Sequence, residues 1–370
     1  MGWFASFLYS QLFVKLPKPI KDFSGQTIIV TGSNTGLGFE AARHLSSLNA
    51  NLIILAVRNQ VKGEAAKKAI LASTGRADAT IEIWNLDMQS YNSIQTFCAK
   101  ANNLPRLDAV IENAGIMTKY FNLVAGYEST ITTNVIGTFL LAFGLLPKLK
   151  QSAAEYKHQS RLSLVASDMH FIAKFPERHN KDIFAALNNE KSSDMSMERS
   201  GSTHQKKRGG FMLIFHTRYA VSKLIQVFGV RELASRLAQG PESTSPAVII
   251  NCMTPGACKS DFDRESTGFG RIMGKIMAAI IARTSEVGSR TLLAGISADE
   301  ESHGSYMADC RVVEYVSSLL CFEFGMRDAN TGGRPGPLVR GSDGLALQKK
   351  IWDQLISQLE TIQPGISQNI

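Results

Sequence analysis

Residues 27–45 read TIIVTGSNTGLGFEAARHL. The run starts as a strand, turns on glycines and ends as a helix. Gly32, Gly36 and Gly38 follow the spacing G-x-x-x-G-x-G. The first allows a tight turn, and the others let a phosphate approach the backbone closely. The free N–H groups and positive end of the helix then face an anion. A bare glycine pattern is a weak signal, since a structural turn uses the same residues. Its place on the first strand of an alternating series makes it a nucleotide site, with Asn34, Thr35 and Leu37 in the same loop.

That alternation runs outward from residue 45. Strand candidates cover residues 27–31, 52–57, 79–84, 107–112, 161–167 and 247–252. Several are near-continuous apolar runs, as strands buried on both faces require. Amphipathic stretches lie between them, at 36–48, 60–72, 90–103, 128–150 and 216–238. The pattern predicts an α/β fold: a Rossmann-type, doubly wound parallel sheet in three α/β/α layers. The organisation expected is an arm at 1–22, one nucleotide-binding catalytic domain at 23–300, and an extension at 301–370. Within it, 168–215 reads as an insertion, with a polar surface loop at 188–210. Residues 257–284 mix glycines with Phe262, Phe269, Ile272 and Met273, which suits a substrate lid. A terminal helix follows from Leu347, Ile351, Leu355 and Leu359.

The chain has 370 residues, 44% hydrophobic and 19% charged, which is ample for a core. Net charge is +8. No basic helix or aromatic-basic interleaving points to nucleic acid, so the excess is read as favouring an anionic cofactor and an acidic membrane surface. The five cysteines are scattered without a C-x-x-C pair. This argues against a disulfide framework or zinc site, and for a reducing, cytoplasmic compartment. Near the N-terminus, Trp3, Phe4, Phe7, Leu8, Tyr9, Leu12, Phe13 and Leu16 form an apolar run too short to span a bilayer. It reads either as an arm packed on the body or as an interfacial helix that contacts a membrane through residues 3–16.

Cofactor choice is read at the end of the second strand. An acid there would bind a ribose 2′-hydroxyl, whereas a base would bind a 2′-phosphate. The sequence has Arg58, with Lys62 a helical turn later, so NADP(H) is favoured. The bland alternative is Arg58 stacked on adenine or in solvent. Asp87 can accept from the adenine amine or cap the next helix. Asn113, Ala114 and Gly115 close the fourth strand, where small residues leave room for a ribose and Asn113 can tie strands together.

Tyr219 and Lys223 sit four apart on one face of a helical segment. A free phenol titrates near ~10, and an adjacent ammonium should lower that value. With T-G-x-x-x-G-x-G at residues 31–38, N-A-G at 113–115 and Y-x-x-x-K at 219–223, residues 23–297 resemble a short-chain dehydrogenase/reductase. Finer features resemble the retinol-dehydrogenase-like branch, especially fungal reductases of secondary metabolism: Arg58, Glu112 before Asn113, and the run at 286–302.

The resemblance implies roles. Tyr219 exchanges a proton with the substrate oxygen, and Lys223 lowers its pKa and bonds the nicotinamide ribose. Ser167 holds the carbonyl oxygen, and Asn134, in a kinked helix, anchors a water relay to Lys223. Pro255, Gly256 and Ser260 flank the nicotinamide. Ser163 is a lesser candidate, deeper in its strand. His170 does not make a Ser-His hydrolase, because the G-x-S-x-G elbow is absent. Two departures stand out: the long spacing between Ser167 and Tyr219, and Thr254 where asparagine commonly stands. The apolar lid implies a bulky lipophilic ketone or secondary alcohol, polyketide- or terpenoid-like. The alternatives are a retinoid- or steroid-type alcohol dehydrogenase at a membrane, and an idle NADP-sensing regulator. Many relatives of this kind form dimers or tetramers through the helices at 128–150 and 216–238, so a homodimer is expected unless the N-terminal arm and the insertion block those faces.

Overall fold

The computed structural model describes residues 3–118, 120–190, 217–238, 246–259, 281–312 and 335–370. Its centre is an eight-stranded sheet. The strands are β1 (Thr27–Thr31), β2 (Leu52–Val57), β3 (Ile81–Asn85), β4 (Ala109–Glu112), β7 (Ser160–Val165), β8 (Val248–Met253), β9 (Tyr306–Ala308) and β10 (Arg311–Val312). A small hairpin supplies β5 (Leu123–Val124) and β6 (Tyr127–Glu128). The sheet order is β10-β9-β8-β7-β4-β1-β2-β3, parallel except for the β9–β10 pair. The progression reverses at β1, which has β2 on one side and β4 on the other. A crevice therefore opens beyond the carboxyl ends of β1 and β4.

Helices cover both faces. On one lie α2 (Gly36–Ser47), α3 (Gln60–Thr74) and α9 (Ser285–Ser297), packed on Ile28, Val30, Ile53 and Leu55. On the other lie α4 (Tyr91–Asn102), α6 (Thr138–Tyr156) and α8 (Thr217–Leu237), packed on Ile29, Ile54, Leu162 and Leu164. The alternation of these partners along each strand is the pleat at work. Local signals set the helix ends. Asn59 caps α3 through Lys62 N, and Gly75 stops it with φ 67°. A short helix α5 (Ser129–Ile131) runs through a π-helical stretch, Thr132–Gly137, into α6. Residues 129–156 include a stretch apolar enough to cross a membrane, but that stretch is buried as a core helix.

The chain then wraps the α8 side. Short helix α7 (Ile183–Leu187) buries Ile183, Phe184 and Leu187, so the first part of the expected insertion is core. The polar segment at 191–216 lies outside the described residues, as does most of the expected lid, 260–280, with Ser260. The two ends of that segment are clasped: Lys259 N donates to Arg283 O at 2.8 Å, and Arg283 N to Ala257 O at 2.9 Å. β9 and β10 carry the sheet past residue 300, beyond the boundary expected from sequence. After α10 (Pro337–Arg340), helix α11 (Gly344–Ile362) lies on α6 and α8. Trp352 packs against Phe143 in a tilted arrangement, ring centres 5.7 Å apart, and Arg231 Nε donates to Gln348 Oε1 at 3.0 Å. The helices expected to carry a homodimer are thus covered by the chain's own tail. Finally α1 (Trp3–Phe13) packs across the carboxyl end of β8.

Candidate active site

The glycine loop connects β1 to α2. Gly32 and Gly36 adopt φ +64° and +61°, conformations that glycine takes without strain. At Gly38 a β-carbon would lie 2.6 Å from both Asn113 Nδ2 and Gly32 O, so only glycine fits. Asn113 ties the crevice together: its Nδ2 donates to Thr31 O at 2.9 Å and to Gly32 O at 3.2 Å. Thr31 Oγ1 in turn accepts from the N–H groups of Asn113 and Ala114, both at 2.9 Å. Thr35 precedes α2 without a side-chain cap, which leaves the first-turn N–H groups of that helix to an outside acceptor. Ser33 Oγ is buried with no hydrogen-bond partner. A cradle with uncapped N–H groups and an orphan hydroxyl fits a dinucleotide pyrophosphate.

Arg58 and Lys62 are exposed at the end of β2, and their side chains make no ion pair among the described residues. Asp87 Oδ1 accepts from Gln89 N at 3.0 Å in the turn before α4, whose cap is Ser90 rather than Asp87.

Four more candidates converge beyond β4 and β7. Asn134 lies in the π-helical stretch and is fully buried. Its Oδ1 accepts from Ile116 N at 2.9 Å, and its Nδ2 donates to Ile116 O at 2.9 Å and Ser222 Oγ at 3.0 Å. Lys223 Nζ donates to Val165 O at 2.7 Å and stands 5.6 Å from the Tyr219 ring centre. The Ser167 hydroxyl hydrogen-bonds the Tyr219 phenol. Ser167 lies two residues past the end of β7 rather than in it, capping the 3-10 turn Asp168–Ile172. A β-carbon on Gly115 would sit 3.2 Å from Asn134 Oδ1 and 3.8 Å from Lys223 Nζ, so the N-A-G loop meets this group.

The sequence expectation for the phenol is reversed. Burial pushes Tyr219 up to about 12, the Ser167 hydrogen bond lowering it only in part. The same desolvation drops Lys223 to about 7.

Sequence reading overlooked three side chains here. Gln226, one turn beyond Lys223, accepts from Lys223 Nζ at 3.0 Å through Oε1 and donates to Asn134 O at 2.6 Å through Nε2. Its helical spacing was the available signal. Asp168 accepts from Thr254 Oγ1 at 3.0 Å and from Tyr306 OH at 2.9 Å, which links the loop after β7 to the loop after β8. Burial pushes its carboxyl up to about 6. Thr254 also accepts from Gly256 N at 3.1 Å, so the unusual threonine supports the Pro255–Gly256 turn. The third side chain is Gln11, against Gly256. His170 is occupied elsewhere: Nδ1 bonds Ser167 O at 2.7 Å and Nε2 accepts from Gly336 N at 2.9 Å, as a neutral ring does.

A cavity of about 350 Å³ lined by Lys18, Arg43, His44 and Arg290 lies at the C-terminal half of α2, away from these strand ends.

The family model for short chain dehydrogenases matches residues 26–159. The short chain dehydrogenase/reductase dmxR8 of Cryptosporiopsis sp. (strain 8999) is 40% identical over 98% of this chain and 99% of its own. This chain is a member of the short-chain dehydrogenase/reductase family. The short-chain dehydrogenase anuD of Penicillium roqueforti (strain FM164) is 38% identical, over 98% of this chain and 84% of its own. Among solved structures, a 3-oxoacyl (acyl-carrier-protein) reductase from Agrobacterium tumefaciens C58 with NADP bound matches with TM-score 0.54 and 16% identity, over 78% of this chain and 93% of that one. That likeness shares the Rossmann-type fold. As a short-chain dehydrogenase/reductase the chain is an oxidoreductase of the NAD(P)-binding kind, acting on a small molecule.

Proposed function

We propose that this short-chain dehydrogenase/reductase uses NADP(H) to interconvert a ketone and a secondary alcohol on a bulky lipophilic substrate. The observation that carries the reading is the meeting of Ser167, Tyr219, Lys223 and Asn134 beside the glycine loop. A regulator would have no need to keep this set together.

Gly32, Asn34, Thr35, Gly36, Leu37 and Gly38 hold the pyrophosphate against the start of α2. Asn113, Ala114 and Gly115 make room for the adenosine ribose, and Asp87 lies near the adenine. Arg58 and Lys62, free in solvent, are suited to a 2′-phosphate. Pro255, Gly256 and Ser260 would contact the nicotinamide. Reduced dinucleotide, when bound, supplies a hydride to the carbonyl carbon. Tyr219 gives its phenolic proton to the carbonyl oxygen, which Ser167 Oγ–H orients. Its high free-site pKa keeps that proton on the phenol until the oxygen arrives. Lys223 holds the ribose and steadies the phenolate that is left. Asn134 and Gln226 fix Lys223, with the glutamine amide standing between Asn134 O and Lys223 Nζ where a relay water was expected.

The substrate class rests on the apolar residues at 257–284 and on the likeness to the fungal relatives; a polyketide- or terpenoid-like intermediate of secondary metabolism fits both. Membrane contact has its own support. Helix α1 exposes Phe4, Tyr9, Leu12 and Phe13, and Lys15 and Lys18 follow, also exposed. Such a face suits an anionic lipid surface adjoining a cytoplasmic enzyme.

NADPH and NADH consumption with a panel of lipophilic ketones tests the reading. Preference for NADPH that Arg58→Ala abolishes is expected. Turnover of retinoid- or steroid-like alcohols with NAD alone would refute it.

A further inference from the structure

We infer that Gln11, on the N-terminal helix, binds ligand: its side-chain amide hydrogen-bonds the nicotinamide carboxamide of the bound dinucleotide. The inference rests on the dinucleotide reading above.

Helix α1 is inside out. Its polar residues Ser6, Ser10 and Gln11 face the protein at 3%, 8% and 9% exposure, while Phe4 and Phe13 face solvent. Buried polar groups need partners. Ser10 has them: its Oγ donates to Asp309 Oδ2 at 2.7 Å, and its carbonyl accepts from Arg283 Nη2 at 2.7 Å. Arg283 also bonds Asp309 Oδ1 at 2.8 Å, which pins the helix to the body. Gln11 differs, because neither Nε2 nor Oε1 has any partner. The helix is thus firmly anchored one residue before an amide held in place with nothing to bind.

That amide is aimed at a defined spot. A β-carbon on Gly256 would collide with Gln11 Nε2. Gly256 follows Pro255 at the carboxyl end of β8, the wall of the crevice joined to the Ser167 side through Thr254 and Asp168. A donor and an acceptor left open side by side call for a ligand edge that carries an acceptor and a donor. A ketone oxygen would satisfy only the N–H. A primary carboxamide satisfies both, and the nicotinamide ring carries one.

The test is ligand binding to the full chain. Wild type and Gln11→Leu are titrated with NADPH and with 2′-phospho-ADP-ribose, which lacks the nicotinamide. Gln11→Leu is expected to weaken NADPH about tenfold, the scale of two lost neutral hydrogen bonds, and to leave 2′-phospho-ADP-ribose within about twofold. The 3-acetylpyridine analogue of NADP, in which a methyl replaces the amide nitrogen, should bind wild type more weakly than NADP does. It retains the oxygen that accepts from Gln11 Nε2, so in the variant it should lose about threefold, less than NADP loses. Equal loss for both NADPH and 2′-phospho-ADP-ribose, or loss for neither, overturns the inference. If Gln11→Leu does not fold, Gln11→Met carries the same expectations. Failure of wild type to bind either ligand overturns the dinucleotide reading as well.

Discussion

Glu112→Gln is the perturbation whose magnitude the structure fixes most directly. Glu112 ends β4, immediately before Asn113, and its carboxyl is enclosed with neither oxygen hydrogen-bonded. Burial holds its pKa well above the ordinary 4.5. The folded chain therefore keeps this proton at pH values where the unfolded chain has released it. Because the folded pKa lies above the unfolded one, the full stability is present below about 4.5 and drains as pH rises. The slope is about 1.4 kcal/mol per pH unit until the folded carboxyl itself ionises. Glutamine keeps the size and the polar surface but cannot titrate. The unfolding free energy of Glu112→Gln relative to wild type should therefore grow as pH rises above about 5, by about 1.4 kcal/mol per pH unit for as long as the folded carboxyl stays protonated. Urea unfolding at several pH values reads this difference, and groups elsewhere cancel between the two proteins. Glu112→Leu should add a pH-independent gain of about 1–3 kcal/mol by removing the unmatched oxygens. Parallel pH profiles for wild type and Glu112→Gln would refute the reasoning.

Three further outcomes are expected. Lys223, lowered to about 7, gains its charge only as pH falls through that value, so NADPH affinity should weaken as pH rises from 6 to 8. Isothermal titration of Lys223→Met should give a flatter profile, and an unchanged pH dependence would contradict the assignment. Gln226→Leu strips one partner from Lys223 and one from Asn134 O; it should cost about 2–4 kcal/mol of stability in urea unfolding and shift the pH profile of kcat, with Gln226→Asn restoring part of both. Trp352→Ala, which removes the ring packed against Phe143, should destabilise by about 3–5 kcal/mol, read by thermal and urea unfolding.

Features encoded in neighbouring residues were legible in the sequence. β1, the glycine turn and α2 are consecutive, and β2 ends at Val57, just before Arg58, as the apolar run does. Tyr219 and Lys223 are one helical turn apart, so their shared face needed no tertiary information. What was missed depends on distant chain segments. β9 has three residues, too few for a periodic signal, and forms because β8 offers an edge. Asp168 is unremarkable in sequence until Thr254 and Tyr306 reach it from 86 and 138 residues away. The pKa direction at Tyr219 failed because burial is a property of the assembled crevice. Helix α1 follows the reverse of the usual pattern, so its apolar residues suggested a packed or membrane-facing arm while hiding the inward face of Ser10 and Gln11.

The most direct test of a phenolic proton donor working with reduced dinucleotide is Tyr219→Phe, followed by two readouts on one preparation. NADPH affinity should stay within about threefold of wild type, while single-turnover oxidation of bound NADPH by a lipophilic ketone should fall about 100-fold or more. Undiminished oxidation in a variant that binds NADPH normally would contradict the account.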